Sequence, residues 1–287
     1  MFFKLKNYLS LVKFSHTIFA MPFALIGYFL AYYRLHLNPD WWLFLKVILC
    51  MVFARNAAMS FNRLVDRHFD KLNPRTSGRE IPRGIIAPRS VMLFCIVNSI
   101  LFVLTTYFIN PLVFYLSPVA LGVILFYSYT KRFTMFSHLV LGIGLSLAPI
   151  GAYLSVTGSF ALIPILYSVV VLFWVAGFDI IYALQDEDFD RNSKLHSIPA
   201  AVGARGALAI ALVLHFISAS IVISIGILAG FNIYYWIGAF LFITLMIYQH
   251  YLVRPNDISK VNMAFATTNG MASLLFALFN IISILTY

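Results

Sequence analysis

Runs of about 20 consecutive apolar residues decide what this chain can fold into. Nine such runs lie between polar breaks, at residues 15–33, 41–61, 89–108, 112–128, 136–155, 162–183, 207–229, 233–252 and 263–285. An apolar helix of about 20 residues crosses the hydrocarbon core of a bilayer, where its backbone groups are satisfied internally. Charged residues make up only 10% of the chain, against roughly 25% in soluble domains. The sequence therefore predicts an all-α membrane bundle of about nine transmembrane helices.

The basic residues predict how this bundle is oriented. If the N-terminus is cytoplasmic, all but three of the 20 lysines and arginines fall in cytoplasmic segments, and the exceptions are Arg34, Lys46 and Arg55. Because cytoplasmic loops accumulate Lys and Arg, the net charge of +10 reflects topology and not nucleic-acid binding. We expect an integral protein of a bacterial inner (plasma) membrane with its C-terminus outside. The first run lacks a small-residue cleavage site, so we expect it to be retained as a span.

Acidic residues are scarce, and most of them occur in two groups. The first comprises Asp66, Asp70 and Glu80, and the second comprises Asp179, Asp186, Glu187, Asp188 and Asp190. By the predicted topology, both groups follow spans that end on the cytoplasmic side. They can therefore face one another across a central cavity that is open to the cytoplasm.

Each group contains two aspartates four residues apart. We call Asp66 and Asp70 the first carboxylate pair, and Asp186 and Asp190 the second. An i, i+4 spacing places both side chains on one helix face. The second pair follows the first by 120 residues in both members, with four spans between them. This offset predicts two four-helix pseudo-repeats plus one further helix.

Paired carboxylates among basic residues predict a particular chemistry. Mg²⁺ is commonly held by one or two carboxylates together with substrate phosphate oxygens. Arginines bind phosphate through forked hydrogen bonds, and four of them are interleaved with the first acidic group: Arg63, Arg67, Arg75 and Arg79. The pattern indicates a substrate with a phosphate head and a lipid tail. The alternative is an ordinary solvated, positively charged loop at a membrane surface.

The residues around both pairs resemble a known family. Residues 55–79 read RNAAMSFNRLVDRHFDKLNPRTSGR and are similar to NxxxDRxxDxxxxRTxxR, a signature of the UbiA superfamily of intramembrane prenyltransferases. Residues 179–190, DIIYALQDEDFD, resemble its DxxYAxxDxxxD signature, and residues 127–134, YSYTKRFT, resemble its YPxxKRxT element. The stretches 16–24, 183–186 and 196–199 most resemble the 4-hydroxybenzoate polyprenyltransferase-like branch. That branch includes the prenyltransferase of the futalosine route to menaquinone.

The resemblance implies nine transmembrane helices in a single domain over residues 1–287, with motif loops at 62–88 and 184–206. It also implies Mg²⁺-dependent transfer of a polyprenyl group from a polyprenyl diphosphate to a small aromatic acceptor in quinone biosynthesis. Haem O synthases and ether-lipid prenyltransferases of the same superfamily are the alternatives, and a transporter is the non-enzyme alternative. Three positions depart from the family: Ser128 and Glu80 replace prolines, and Lys194 replaces a glycine before Ser197.

Site residues are carried over from the matching motif positions and their surroundings. The catalytic and Mg²⁺-binding residues are the two carboxylate pairs, Asp66, Asp70, Asp186 and Asp190. The diphosphate-binding candidates are Asn62, Arg67, Lys131 and Arg132, whose basic members could instead only set topology. The residues expected to bind the acceptor or stabilise the allylic cation are Arg55, Tyr127, Asp179 and Tyr182. For Arg55 and Asp179, a structural role in helix packing is the alternative.

Overall fold

The computed structural model describes residues 2–12 and 19–286, and helices dominate this part of the chain. The helices are α1 Phe2–Leu11, α2 Met21–Leu35, α3 Trp41–Val65, α4 Arg67–Leu72, α5 Pro88–Tyr107, α6 Pro111–Thr130, α7 Ser137–Thr157, α8 Leu162–Ala183, α9 Glu187–Asn192, α10 Ile198–Ala229, α11 Ile233–Leu252 and α12 Asn269–Leu285. A 3-10 turn, Leu184–Asp186, precedes α9, and a π-helical segment, Met263–Thr268, precedes α12. The predicted all-α membrane fold is confirmed.

Eight helices of the described part are long and apolar enough to cross a membrane. They correspond to the predicted spans from the second to the ninth. Helix α2 has 15 residues and matches the remaining predicted span. The predicted start of that span, at residue 15, lies outside the described residues, as do His16 and Thr17 of the family-like stretch. The count of nine spans therefore stays a prediction.

Two predicted boundaries were wrong. Helix α3 continues to Val65, so Asn62 and Arg63 lie on the spanning helix and not in a loop. Helix α10 begins at Ile198, well before the predicted start at residue 207, and it contains a kink at Gly203, where φ is +72°. Both errors arose because polar residues on an otherwise apolar helix were taken as its end.

The start of α10 also shows what Ser197 and Lys194 do. The Ser197 side chain accepts a hydrogen bond from the Ala200 N–H and so caps the helix. Lys194 adopts a left-handed backbone conformation with φ of +54°. The loop therefore keeps the turn that a glycine would make, although a residue with a Cβ is strained in this conformation.

The solid core and the hollow part of the bundle lie on different sides of α8. On one side, Trp174 of α8 packs against Phe23 and Phe242 with ring centroids 5.4 and 5.3 Å apart, and Phe276 packs against Phe23 at 5.8 Å. All four side chains are fully buried. On the other side, α3, α5, α6 and α7 enclose a large space. The core thus fixes α8 rigidly, and α8 carries Asp179 and Tyr182 at its C-terminal end.

Candidate functional site

The first carboxylate pair lies where α3 ends and the short helix α4 begins. The Asp66 N–H donates to the Asn62 carbonyl, and the Asp70 N–H donates to the Asp66 carbonyl at 2.8 Å. These bonds continue the i to i−4 pattern through the junction, so both carboxylates stay on one side. Asp70 is buried, and Asp66 is half-buried.

The second carboxylate pair is built in the same way. The spanning helix α8 ends, a 3-10 turn finishes at Asp186, and the short helix α9 carries Asp190. Both side chains are buried. Each pair therefore occupies the junction between a long and a short helix, as expected if the chain contains two similar units.

Every one of these four carboxylates has a basic neighbour. Arg75 binds Asp186 with both ends of its guanidinium, Nε donating to Oδ1 at 2.9 Å and Nη2 donating to Oδ2. Arg79 Nη1 donates to Asp70 Oδ1 at 2.5 Å. The other two contacts are Lys131 Nζ to Asp190 Oδ2 at 3.1 Å and Arg132 Nη2 to Asp66 Oδ1 at 3.6 Å.

Arg75 and Lys131 also connect parts of the chain that are distant in sequence. Arg75, in the loop after α4, joins the first motif to the second through Asp186, and Asn73 Nδ2 adds a bond of 2.9 Å to the same carboxylate. The Lys131 carbonyl, after α6, accepts the N–H of His196 at 2.7 Å. The three motifs are thus assembled into a single site by ion pairs and backbone bonds.

The two carboxylate pairs line a common cavity, which we call the polar pocket. Its volume is about 160 Å³. Its polar lining consists of Asn62, Asp66, Asp70, Asn73, Arg75, Thr76, Arg79, Tyr127, Ser128, Lys131, Arg132, Asp179, Tyr182, Asp186 and Asp190. Cations and carboxylates are interleaved here, so the pocket can hold a polyanion if the carboxylates receive further positive charge.

The donor set of the polar pocket suits a hard cation that arrives with phosphate oxygens. Asp70 Oδ2 is buried and has no hydrogen-bond partner in the part of the chain that the structure describes, so one carboxylate oxygen is available to a ligand. Among the described residues, no group of three or more His, Cys, Asp or Glu side chains forms a metal site by itself. The carboxylates could supply part of a coordination sphere and leave the rest to phosphate oxygens, which is how Mg²⁺ is usually bound with phosphates.

The electrostatics at Asp66 also favour the binding of a cation. Burial and the neighbouring Asp70 charge raise the pKa of the Asp66 carboxyl to about 6, although Arg132 and Lys131 oppose this shift. The raised pKa means that burial and the Asp70 charge destabilise the ionised form more than the nearby basic residues stabilise it. A cation placed beside the first carboxylate pair would favour its ionised form.

A second and larger space, which we call the apolar cavity, adjoins the polar pocket. Its volume is about 970 Å³, and mostly apolar side chains of α3, α5, α6, α7 and α8 line it. It extends from Asn62 and Asp179 to Val113 and Phe160, near the opposite ends of the helices. Six residues line both spaces and form their junction: Asn62, Arg75, Arg79, Tyr127, Asp179 and Tyr182.

Two of the predicted junction residues, Asp179 and Tyr182, are held in position by neighbouring side chains. Asp179 Oδ2 lies 2.7 Å from Nδ1 of His138, which is fully buried on α7. The Ile198 N–H approaches His138 Nε2 at 3.4 Å, so Nε2 is the acceptor and Nδ1 carries the proton that is donated to Asp179. Tyr182 stacks on Phe265 with ring centroids 4.1 Å apart, and its hydroxyl accepts a bond of 3.0 Å from Arg75 Nη1.

The structure does not bring every predicted residue to the polar pocket. Arg55 lines the apolar cavity, where its Nη2 lies 3.4 Å from the Val12 carbonyl. Arg67 lines neither space, and its Nη1 donates to the Leu64 carbonyl at 2.8 Å. The other ten predicted site residues line the polar pocket, so they stand together as the sequence predicted.

Several pocket residues were given no individual role from the sequence. Arg75 and Arg79 stood in the first motif, which was a sufficient signal to include them among the anion-binding candidates. Asn73 and His138 had no such signal. Each acts through a partner that is more than 40 residues away in the chain, Asp186 for Asn73 and Asp179 for His138.

Comparison with known proteins identifies the family. Residues 20–282 match the UbiA prenyltransferase family. A 4-hydroxybenzoate octaprenyltransferase from Aeromonas salmonicida is 30% identical over 239 residues, which cover 83% of this chain and 82% of the relative. The protein of the same name from Tolumonas auensis is 31% identical over 224 residues and 78% of each chain. The predicted resemblance is confirmed.

Solved structures show the same fold. The apo structure of a UbiA homologue from Aeropyrum pernix superimposes with a TM-score of 0.80 at 28% identity, covering 94% of this chain and 97% of that one. A UbiA homologue from Archaeoglobus fulgidus, bound to DMAPP and Mg²⁺, gives 0.78 at 21% identity, covering 98% of this chain and 100% of that one. The second likeness bears on the fold alone.

Proposed function

Because the chain belongs to the UbiA prenyltransferase family, we propose that it transfers a polyprenyl group from a polyprenyl diphosphate to a small aromatic acceptor in quinone biosynthesis. The observation that carries this proposal is the direct connection between the polar pocket and the apolar cavity. The pocket has the charges for a diphosphate, and the cavity has the volume and apolar lining for a prenyl tail. The reacting carbon then lies at the junction of the two spaces.

The two carboxylate pairs hold Mg²⁺ in this proposal, together with diphosphate oxygens. When bound, Mg²⁺ neutralises the negative charge that develops on the departing diphosphate. Asn62, Lys131 and Arg132 line the pocket where further phosphate oxygens would lie. Arg67 remains a candidate only if its guanidinium leaves the Leu64 carbonyl.

Binding of the diphosphate rearranges the ion pairs of the pocket. Arg75 and Arg79 now occupy carboxylate oxygens of Asp186 and Asp70. Once positive charge reaches these carboxylates, both guanidinium groups can turn to phosphate oxygens, which accept the same forked hydrogen bonds. The pairs seen here therefore keep the pocket electrically balanced and hold its cations in place before the substrate arrives.

Chemistry takes place at the junction. The carbon–oxygen bond of the prenyl diphosphate breaks, and the diphosphate leaves with the electron pair. An allylic cation remains, which the ring faces of Tyr127 and Tyr182 stabilise. A ring carbon of the acceptor attacks to form the new carbon–carbon bond, and the proton lost from that carbon passes to Asp179. His138 holds Asp179 in position through the 2.7 Å hydrogen bond.

The remaining predicted residue, Arg55, suits an acceptor that carries a carboxylate. Arg55 lies on the α3 wall of the apolar cavity, where a guanidinium can bind the carboxylate of an aromatic acid. The names of the relatives support 4-hydroxybenzoate, and a menaquinone precursor is the second candidate within the branch. Haem O synthesis and ether-lipid prenylation stay as alternatives. Family membership decides against the transporter.

The proposal includes a membrane topology. We place the N-terminus in the cytoplasm, the C-terminus outside, and the polar pocket toward the cytoplasm, as the distribution of Lys and Arg predicts. Eight helices with the length and hydropathy of membrane spans support integration in a bilayer, which we take to be a bacterial inner membrane. The chain acts as one transmembrane domain over residues 1–287.

Product analysis tests the proposed function. The detergent-solubilised protein is incubated with a polyprenyl diphosphate, Mg²⁺ and one of four acceptors: 4-hydroxybenzoate, a dihydroxynaphthoate, a futalosine-derived acid or protohaem. Mass spectrometry should show a prenyl adduct and release of diphosphate with one of the aromatic acids. A prenylated product from protohaem alone, or no product from any acceptor, would contradict the proposal.

A further inference from the structure

Arg63 is a buried cation that the proposed reaction does not use. It lies on α3, directly after Asn62, and only 6% of the residue is exposed. From the sequence, Arg63 was grouped with the arginines expected to bind phosphate. The structure places it on the wall of the apolar cavity and not in the polar pocket. We therefore expect Arg63 to bind a ligand other than the diphosphate.

Unlike Arg75 and Arg79, Arg63 contacts no carboxylate in the part of the chain that the structure describes. Within residues 2–12 and 19–286, no ion pair includes it, and its buried Nε has no hydrogen-bond partner. The charges that act on it do so from a greater distance, and they belong to Arg79, Asp70, Glu80 and Asp66. Two of the three carboxylates already have basic partners of their own, Arg79 for Asp70 and Arg132 for Asp66.

The surrounding cavity wall has an excess of positive charge. Arg55 lines the same wall two helical turns away, and the two guanidinium groups repel each other. Two acids line the cavity, and both have partners: Glu80 accepts a hydrogen bond of 2.5 Å from Ser10, and Asp179 pairs with His138. An unpaired cation in an apolar environment is costly, and charges placed in this way usually meet an anion in the working state.

We propose that Arg63 is a specificity-determining residue, whose guanidinium binds the carboxylate of the aromatic acceptor inside the apolar cavity. The inference rests on the proposed function, and it adds a second guanidinium to the α3 wall beyond Arg55. An acceptor anchored at Arg63 lies next to Asn62, which lines both spaces, so its ring reaches the junction where the cation forms. The same two guanidinium groups disfavour acceptors that lack an acidic group.

The test compares an acid with its neutral amide. Steady-state kinetics are measured for 4-hydroxybenzoate and 4-hydroxybenzamide, and for the prenyl diphosphate, with the full-length wild type, Arg63→Gln and Arg63→Lys. Arg83→Gln is the matched control, because Arg83 is an exposed arginine in the segment before α5 and lines neither space. Thermal denaturation without substrate is recorded for all four proteins, and again with each of the two acceptors.

Arg63→Gln should raise the KM for 4-hydroxybenzoate about 10- to 100-fold, the range expected for loss of one charge-assisted hydrogen bond. The KM for the prenyl diphosphate should stay within about 2-fold, and Arg63→Lys should restore part of the preference for the acid. The ligand-free Tm of Arg63→Gln should be equal to or above that of the wild type, because an unpaired buried charge is removed.

Three outcomes would overturn the inference. A higher KM for the prenyl diphosphate with an unchanged KM for 4-hydroxybenzoate would assign Arg63 to the diphosphate. Unchanged kinetics with a lower Tm would assign it to the fold. If the wild type prenylates no aromatic acid, the proposed function fails, and thermal denaturation then tests acceptor binding at Arg63 by itself. If 4-hydroxybenzoate raises the Tm of Arg63→Gln as much as that of the wild type, Arg63 does not bind the acceptor carboxylate.

Discussion

The ion pair between Arg75 and Asp186 should couple the two halves of the site energetically. Arg75, together with Asn73, joins the loop after α4 to the turn before α9, and the Arg75 guanidinium also lies over the Tyr182 ring at 5.3 Å. The Arg75 and Asp186 side chains are 29% and 10% exposed, so the pair is mostly buried. Breaking a fully buried pair costs about 3 to 5 kcal/mol. Partial exposure reduces this cost, and we expect Arg75→Gln to lower the free energy of unfolding by about 2 kcal/mol.

A double-mutant cycle tests this value without relying on activity. Arg75→Gln, Asp186→Asn and the double variant are unfolded in mixed micelles of increasing denaturing detergent, and the free energies of unfolding are compared. Because the double variant leaves no unpaired charge, it should be more stable than the sum of the single losses predicts, by about 1.5 to 2 kcal/mol. Losses that add within about 0.5 kcal/mol would refute the coupling.

Three further predictions concern the metal, a positioning residue and a strained turn. Chelation of Mg²⁺, or Asp190→Ala, should lower prenyl transfer more than about 100-fold while thermal denaturation still shows a folded protein, and full activity would contradict metal binding by the carboxylate pairs. His138→Phe should lower kcat about 10- to 100-fold with the KM for prenyl diphosphate unchanged, and His138→Gln should recover part of kcat by donating to Asp179; equal kcat losses in both variants would argue against this role. Lys194→Gly should raise the free energy of unfolding by up to about 1 kcal/mol because a positive φ suits glycine, and a decrease would show that the turn is not strained.

Much of the site was predictable because its signals are local. The i, i+4 spacing places two side chains on one helix face, and backbone hydrogen bonds do continue from Asn62 through Asp66 to Asp70. The pairs were also expected to share one cavity, and the polar pocket contains all four carboxylates. The boundaries of α3 and α10 were mistaken, since a single-sequence pattern reads polar residues on a helix as its end.

The pairing of charges was not predictable, because it depends on contacts between distant parts of the chain. Asp186 is held by Arg75 and Asn73 from across the bundle, and Lys131 reaches Asp190 from the end of α6. Arg63 and Arg67 looked alike in sequence, yet one faces the apolar cavity and the other bonds to the carbonyl of its own helix turn. A spacing along one helix cannot show which neighbouring helix supplies the facing wall.

The sequence by itself determined the solvent, the helices and the chemistry of this protein. Long apolar runs require a bilayer, and the motifs that contain the scarce acids identify a prenyltransferase, since both signals are carried by consecutive residues. Only the tertiary structure decided which cations balance which carboxylates, that an apolar cavity adjoins the polar pocket, and that Arg63 faces this cavity with no contacting carboxylate among the described residues. The reason is physical: electrostatic balance and cavity shape arise from groups that meet through folding, and no stretch of the chain contains them together.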